Sequence, residues 1–537
     1  MTNQEIIKRF HALQADRKVA EESWDLIERF IYPIGGGKFF QPLSVEGEMD
    51  WRRRDVYDDT AINGADGLAA SLHGSLTSPA IRWFDLKFDT PELQKDLESQ
   101  VWLESCAKIC WSNIQKSNFN MEVAEGYLDL VSFGNTTITQ EPNGNGLTWN
   151  GIGFESIPLR ETYFEETETG QVRASYRHLQ WKPSQFISKF GDNVPDIIKA
   201  RYESADQNKI SVIFCIYPNP DAQDSTGATI TTVQRRPYLK KYILLEGAEQ
   251  VGETDGCYEM PVYAVRWRRA PGSQWGYGPG HLALPTVLTI NELVKMVLEA
   301  AEKVIDPPSL VRRRAAVTDL DLSPGGHVIV DDINNSLKPY ESASRFDVSA
   351  LQVSDLRDMI RRLFHVDQLE LKESPAMSAT EVMVRYELMN RLLGPTMGRL
   401  QSDLLNPLVT NTFKMLFRAK QFPEPPRLVR EMEGEMRIEY TGPLSRAQKS
   451  DEVTSVERWL TNIANFAQIF PELRHVPNPV EIGKFLADGL NVPAKLMNSS
   501  TKITTEINKD KAAQNQAMAN EQRAQAAEVT KLETGTG

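Results

Sequence analysis

The chain has 537 residues, 41% of them hydrophobic, and a formal net charge of −13. That length and apolar content suffice for a large core spread over about three or four structural regions and exclude a disordered polypeptide. The acidic balance sets the chain apart from most nucleic-acid binders, whose footprint is a strongly basic face, so any contact with DNA is expected to be loose.

Four cysteines (Cys106, Cys110, Cys215, Cys257) are too few for a disulfide framework. No Cys/His set with zinc spacing completes them, so they read as ordinary buried or half-buried thiols of a reducing compartment. The N-terminus has no signal-peptide pattern, and no run approaches eighteen uninterrupted apolar residues. The expectation is a soluble protein, neither secreted nor membrane-spanning.

Residues 3–32 carry apolar positions at helical spacing (Ile6, Ile7, Phe10, Leu13, Val19, Trp24, Ile27, Ile31) and end at Pro33, which predicts one or two amphipathic helices. The following "GGGK" fails the phosphate-loop spacing and reads as a turn. "TAINGADGLAASLHGSL" (60–76) is rich in small residues at helical spacing, and "TSPAIRWFDLKF" reads as a turn into a strand. Helices are predicted within 91–133. Residues 150–267 then change character to short β-rich runs separated by Gly, Asn, Asp and Pro clusters.

A long helix is predicted over 285–305, about 30 Å at 1.5 Å per residue. Its charges Glu292, Lys295, Glu299 and Glu302 lie on one narrow face while apolar residues cover most of the rest, the pattern of a helix packed on more than one side. "DPP" at 306–308 ends it. About forty residues of β-like sequence follow, and then a second helix over 349–366. The segment 367–377, "DQLELKESPAM", reads as a loop, and Ser378 with Glu381 forms a capping box. That box opens a helix to about 421, with kinks expected at Gly394-Pro395 and before Pro407. Residues 451–498 read as short helices broken by prolines. The tail 501–537 is polar, either a solvated helix or disordered.

Catalytic chemistry is not visible. The seven histidines are scattered without H-E-x-x-H or H-x-H pairs. Asp319/Asp321 and Asp331/Asp332 lack the further oxygen ligands and glycine turn of a cation loop. In "WGYGPGH" the third glycine of a dinucleotide fingerprint is replaced by His281, and no G-x-S-x-G elbow occurs. No cofactor or metal is expected, and a structural or conduit role is a better starting point than an enzyme.

A resemblance then enters at 276–311. "GYGPGHLALPTVLTINELVKMVLEAAEKVIDPPSLV" resembles the segment leading through the long helix of the portal, or head-to-tail connector, proteins of short-tailed bacteriophages. Similar stretches follow the family's order at 60–86, 129–141, 156–166, 378–409, 438–450 and 491–500, so the resemblance spans nearly the whole chain. It implies an α+β, mainly helical portal fold, assembling as a ring of about twelve copies at one capsid vertex. Through its axial channel the terminase packages double-stranded DNA, which later leaves through the tail.

By matching sequence, the implied regions are a wing (1–284), stem helices (285–305 and 349–366), a clip (306–348) and a channel loop (367–377). The long kinked helix with the rest of the wing would occupy 378–450, a crown 451–500, and the polar tail 501–537. The implied partners are further copies of the chain, DNA passing non-specifically, terminase, tail adaptor or nozzle proteins, and major capsid and scaffolding proteins, with no membrane. The implied location is the virion head-tail junction after assembly in the host cytoplasm. The alternative is another virion structural protein, of tail or scaffold type, without a DNA channel.

Within this frame Lys372 and Glu373 are the expected DNA-proximal residues of the channel loop. A sliding channel must not grip, and a strongly basic lumen would act as a brake through counterion release. Arg357, Arg361 and His365, at i, i+4, i+8 on the second stem helix, would face DNA, pair with acidic groups of a neighbouring subunit, or simply be solvated. The triplet Arg312, Arg313 and Arg314 is not a fixed family feature. It would meet a tail adaptor or the terminase, or else lie on a solvated strand edge.

Overall fold

The computed structural model describes residues 1–33, 55–143, 149–168, 170–222, 233–269, 272–305, 309–312, 327–330, 346–366, 394–432, 436–440, 443–466 and 476–490, with a few isolated positions beyond. The "GGGK" stretch, the two aspartate pairs, the capping box expected at Ser378, and the residues Arg313, Arg314, Lys372 and Glu373 lie outside these residues. So does nearly all of the tail. The chain divides into two units, residues 1–74 with 114–418, and residues 75–113 with 419–537.

In the larger unit the N-terminal amphipathic run is one helix, Asn3–Phe30. Thr2 and Glu5 close a reciprocal capping box at its start, satisfying donors that a helix end leaves free. Its apolar stripe packs on an antiparallel five-stranded meander whose strands follow chain order: 162–166, 172–181, 210–218, 238–244 and 250–257. Ile6, Phe10 and Leu13 meet Tyr163, Tyr176, Ile213, Cys215 and Ile243, each large side chain contributing about 1.5–3 kcal/mol by leaving water. The opposite sheet face is closed by helices Pro183–Phe190 and Asp196–Glu203, through Phe186 and Ile198 against Leu179, Val212, Leu244 and Val251.

A second antiparallel sheet orders strands 152–157, 135–142 and 262–266. The helix Asn406–Arg418 docks on it through a buried polar chain. Tyr263 donates to Gln140 Oε1 (2.5 Å), Gln140 Nε2 to Thr412 Oγ1 (2.7 Å), and Asn411 Nδ2 to the Tyr263 hydroxyl (2.8 Å). The irregularity expected before Pro407 takes the form of a π turn, Gln401–Leu405, which absorbs the position where proline offers no donor.

In the smaller unit, strand Phe84–Phe88 pairs antiparallel with Met436–Tyr440, with Trp83 stacked on Tyr440. Trp102 donates its indole N–H to Pro423 O at 3.0 Å. The helix Pro443–Phe466 is longer and starts earlier than the short helices expected from 451; the first helix-breaking proline of that stretch comes only at 471, so nothing interrupts it sooner. A second helix spans Pro479–Gly489. Cys106 and Cys110 are buried here, as Cys215 is in the larger unit, and Cys257 is half-buried; all four are free. Burial pushes the Cys106, Cys215 and Cys257 thiols up to about 12, so they are poor nucleophiles.

Arg17 is the most deeply buried cation of the N-terminal helix. Its guanidinium donates to Thr162 O (2.7 Å), Leu159 O (3.1 Å), Arg160 O (3.1 Å) and the Tyr163 hydroxyl (2.6 Å), and pairs with Glu21 at 2.9 Å. Burial lowers its pKa from the ordinary arginine value. Arg17→Met keeps much of the volume but strands these acceptors, and should lower stability by about 2–4 kcal/mol. A urea titration of the full chain followed by fluorescence checks this.

Candidate functional site

The feature that organises the larger unit is a helical hairpin and its root. The long helix spans Pro279–Ile305, 27 residues or about 40 Å. It starts six residues earlier than expected and runs through Pro285, its seventh residue, where proline has no N–H to give to His281 O, so the helix forgoes that bond. The second helix spans Phe346–Leu363 and lies against the first, with Thr286 Oγ1 3.7 Å from Met359 Sδ. Between them, residues 309–312 and 327–330 form a two-stranded parallel pair, with Arg312 opposite Val330.

The root of the long helix is a contact between bare backbones. Helix Phe119–Phe133 is terminated by Gly134 in the left-handed conformation (φ 70°), the C-cap role that glycine fills without strain. A Cβ on Gly134 would stand 2.5 Å from Gly278 N, and one on Gly278 would stand 2.7 Å from Gly134 Cα. A Cβ on Gly276 would collide with Gly134 O, and one on Gly280 with Ser132 O. Asn135 seals the junction: Gly276 N donates to its Oδ1 at 2.6 Å, and its Nδ2 donates to Phe133 O (2.8 Å) and Gly276 O (3.2 Å). The glycines of "GYGPG" therefore serve close approach of chain to chain.

A strap at residues 55–58 ties both hairpin helices to the body. Asn291 of the long helix accepts from Tyr57 N (2.7 Å) and donates to Asp55 O (2.8 Å), while Arg29 pairs with the Asp55 carboxylate. On the second helix, Arg357 Nε donates to Asp58 Oδ2 at 2.8 Å. Asp58 is 2% exposed at its side chain, and its Oδ1 accepts from Thr60 N at 3.0 Å. The strap leads into helix Thr60–Leu76, where Gly64 leaves room for the buried ring of Phe364.

The face drawn through Arg357, Arg361 and His365 is therefore not a single free face. Arg357 is bound within its own chain, and Arg361 is exposed. The helix ends at Leu363, and His365, with φ 57°, turns off its axis. No sequence pattern paired Asp58 with Arg357, some 300 positions apart.

Among the described residues, several apolar side chains of the long helix beyond Asn291 are uncovered. Pro279, Gly280, Ala283, Val287, Ile290 and Asn291 are buried, whereas Met296, Leu298, Val304 and Ile305 stand out, Ile305 at 82% exposure. Leu351 and Met359 of the second helix are also exposed. Glu292, Glu299 and Glu302 are exposed, with Lys295 half-buried. Among the described residues this is the one helix long and apolar enough to cross a membrane, and no group of His, Cys, Asp or Glu is arranged to hold a metal.

Two predictions follow from the root. Gly278→Ala and Gly280→Ala should destabilise the chain by about 3 kcal/mol or more, because backbone rather than a flexible side chain blocks the methyl group. Gly67→Ala and Gly74→Ala, on a helix with open space at both positions, should instead be neutral or stabilising by up to about 1 kcal/mol. Urea midpoints of the four variants test this contrast.

The second concerns His281, whose Nδ1 lies 3.4 Å from Gly278 N and whose Nε2 lies 3.5 Å from Ser23 Oγ. Burial lowers its pKa from 6.5 to about 4. Its contribution to stability is thus complete above pH 6.5 and is lost as pH falls towards 4, by about 1–3 kcal/mol. Asp129, pushed up to about 7 by burial and then by Glu125, acts in the opposite sense, so the difference between wild type and His281→Asn isolates the histidine. That difference should shrink between pH 7.5 and 4.5 in urea titrations.

Comparison with known proteins agrees with this architecture. Over 524 residues the chain is 25% identical to a Bordetella phage BPP-1 protein called "Probable portal protein", covering 95% of this chain and 91% of that one. Over 477 residues it is 25% identical to the "Portal protein" of Salmonella phage epsilon15, covering 87% and 84%. Residues 3–497 match the family described as bacteriophage head to tail connecting protein, and the chain belongs to that family.

Proposed function

We propose that the chain is the portal subunit of a bacteriophage, working as a closed ring of about twelve copies at one capsid vertex. Genome DNA enters through the axial channel under the terminase motor and leaves through the attached tail. In this reading the hairpin helices are the stem, and residues 306–348 between them are the clip, which meets the terminase during packaging and the tail adaptor or nozzle afterwards. Arg312, Arg313 and Arg314 belong to that contact. The two-sheet body is the wing, residues 451–500 form the crown, and capsid and scaffolding proteins surround the ring. The segment 367–377 follows the second stem helix and projects towards DNA, with Lys372 and Glu373 nearest to it. Assembly takes place in the host cytoplasm, and the product is a virion component at the head-tail junction.

The carrying observation is the outer part of the long helix, which leaves its own body with Met296, Leu298, Val304 and Ile305 uncovered. Such a surface calls for lipid or another protein surface. Lipid is disfavoured because Glu292, Lys295, Glu299, Glu302 and Lys303 would each cost about 2.5–3.5 kcal/mol near a bilayer centre, and because the helix starts locked to the body. A ring of packed hairpins buries the apolar positions and leaves the charges to water and to opposite charges across subunits. Arg361 and Arg362 at the end of the second stem helix suit the glutamate stripe of a neighbouring copy. With a net charge of −13 per copy, the assembly suits DNA that slides rather than binds.

Native mass measurement of the purified chain should give a closed oligomer of about twelve subunits. Leu298→Glu should shift it to monomers that remain folded by circular dichroism. A wild-type chain that stays monomeric, or a Leu298→Glu chain that assembles as well as wild type, contradicts the proposal.

A further inference from the structure

The strap at 55–58 has a chemistry that ring assembly does not call for. Asp58 is 2% exposed at its side chain, yet its one cation partner, Arg357, is 47% exposed. A buried carboxylate keeps its charge at tolerable cost only while that partner and the Thr60 N–H stay in place, whereas the arginine loses little by returning to water. The pair is therefore asymmetric. The long helix is held independently, by Asn291 on the strap backbone and by the glycine root. The second helix lies along the long helix and buries Ile360, and on the strap and helix Thr60–Leu76 it is held by Arg357 and by the Phe364 ring seated over Gly64. That helix ends at Leu363, four residues before the segment 367–377.

We propose that Asp58 and Arg357 form a latch that fixes the seating of the second stem helix, a wall of the channel in the portal reading, on the body without contributing to ring closure. Asp58 and Arg357 are positioning residues in this role, and neither touches DNA. Closed, the latch keeps the helix pressed on Gly64. Opened, it strands a buried carboxylate without its cation, which drives the helix back. The inference rests on the portal reading.

The test uses phage particles and purified rings carrying the full-length chain as wild type, Arg357→Gln, Arg357→Lys, or the double variant Asp58→Asn with Arg357→Gln. Rings are counted on micrographs, nuclease-protected DNA is measured per particle, and amide exchange is followed over residues 346–366. All four chains should form rings. Arg357→Gln should protect at least fivefold less DNA and exchange faster over 346–366. Arg357→Lys should recover most of the loss, and so should the double variant, because removing both charges leaves no stranded carboxylate.

Unchanged DNA protection in Arg357→Gln rings would overturn the latch. So would loss of rings in Arg357→Gln that the double variant does not restore, which marks the pair as a folding element only. Absence of rings in the wild-type chain would instead overturn the portal reading, so the two failures are distinguishable.

Discussion

The structure depends on one steric constraint, the contact of the Ser132–Gly134 backbone with the backbone of Gly276–Gly280. Two segments about 140 residues apart approach so closely that no side chain fits between them, and the Asn135 amide bonds to both sides of the seam. Because the long helix begins at Pro279, inside that contact, its direction is set by the least compressible part of the protein. Side-chain packing can relax by tenths of an ångström, but backbone against backbone cannot. A helix whose far half exposes Met296, Leu298, Val304 and Ile305 gains its direction from such a root.

From that root the remaining features follow in order. The strap at 55–58 joins the N-terminal helix, the long helix and its returning partner by polar bonds to main chain and to one buried carboxylate. The two sheets provide the platform, one filled from both faces by apolar side chains and the other tied to Asn406–Arg418 through Gln140, Tyr263, Asn411 and Thr412. Apolar burial supplies most of the stability, while buried polar groups select which surfaces meet. Among the described residues, the outer hairpin leaves Met296, Leu298, Val304, Ile305, Leu351 and Met359 exposed.

Much of this was legible in the sequence because the signals are local. Helical spacing from Ile6 to Ile31 gave the N-terminal helix, the alternation of β-rich runs with turn residues gave the sheets, and the proline at 407 marked the π turn. The helix–excursion–helix order from 279 to 363 was visible in the same way. Start and end points were less legible. Pro285 looks like a helix start, but the helix begins at Pro279, where the glycine root fixes the entry of the chain and outweighs the hydrogen bond lost at Pro285. His365 keeps helical spacing with Arg357 and Arg361, yet its positive φ takes it off the helix. The pairing of strand 84–88 with 436–440, and of Asp58 with Arg357, are long-range meetings that no local pattern encodes. The glycines of "GYGPG" were visible as a cluster, but their purpose appears only when the segment they touch is known.

The account makes the hairpin a stem whose uncovered side is closed by further copies around an open axis. Electron micrographs of the purified chain, averaged in views down the symmetry axis, test this most directly. The account predicts a closed ring with a central hole wide enough for a DNA duplex, its inner wall formed by the hairpins. Filaments, trimers, isolated monomers, or a closed ring without an axial opening, under conditions in which the chain is folded, would contradict it.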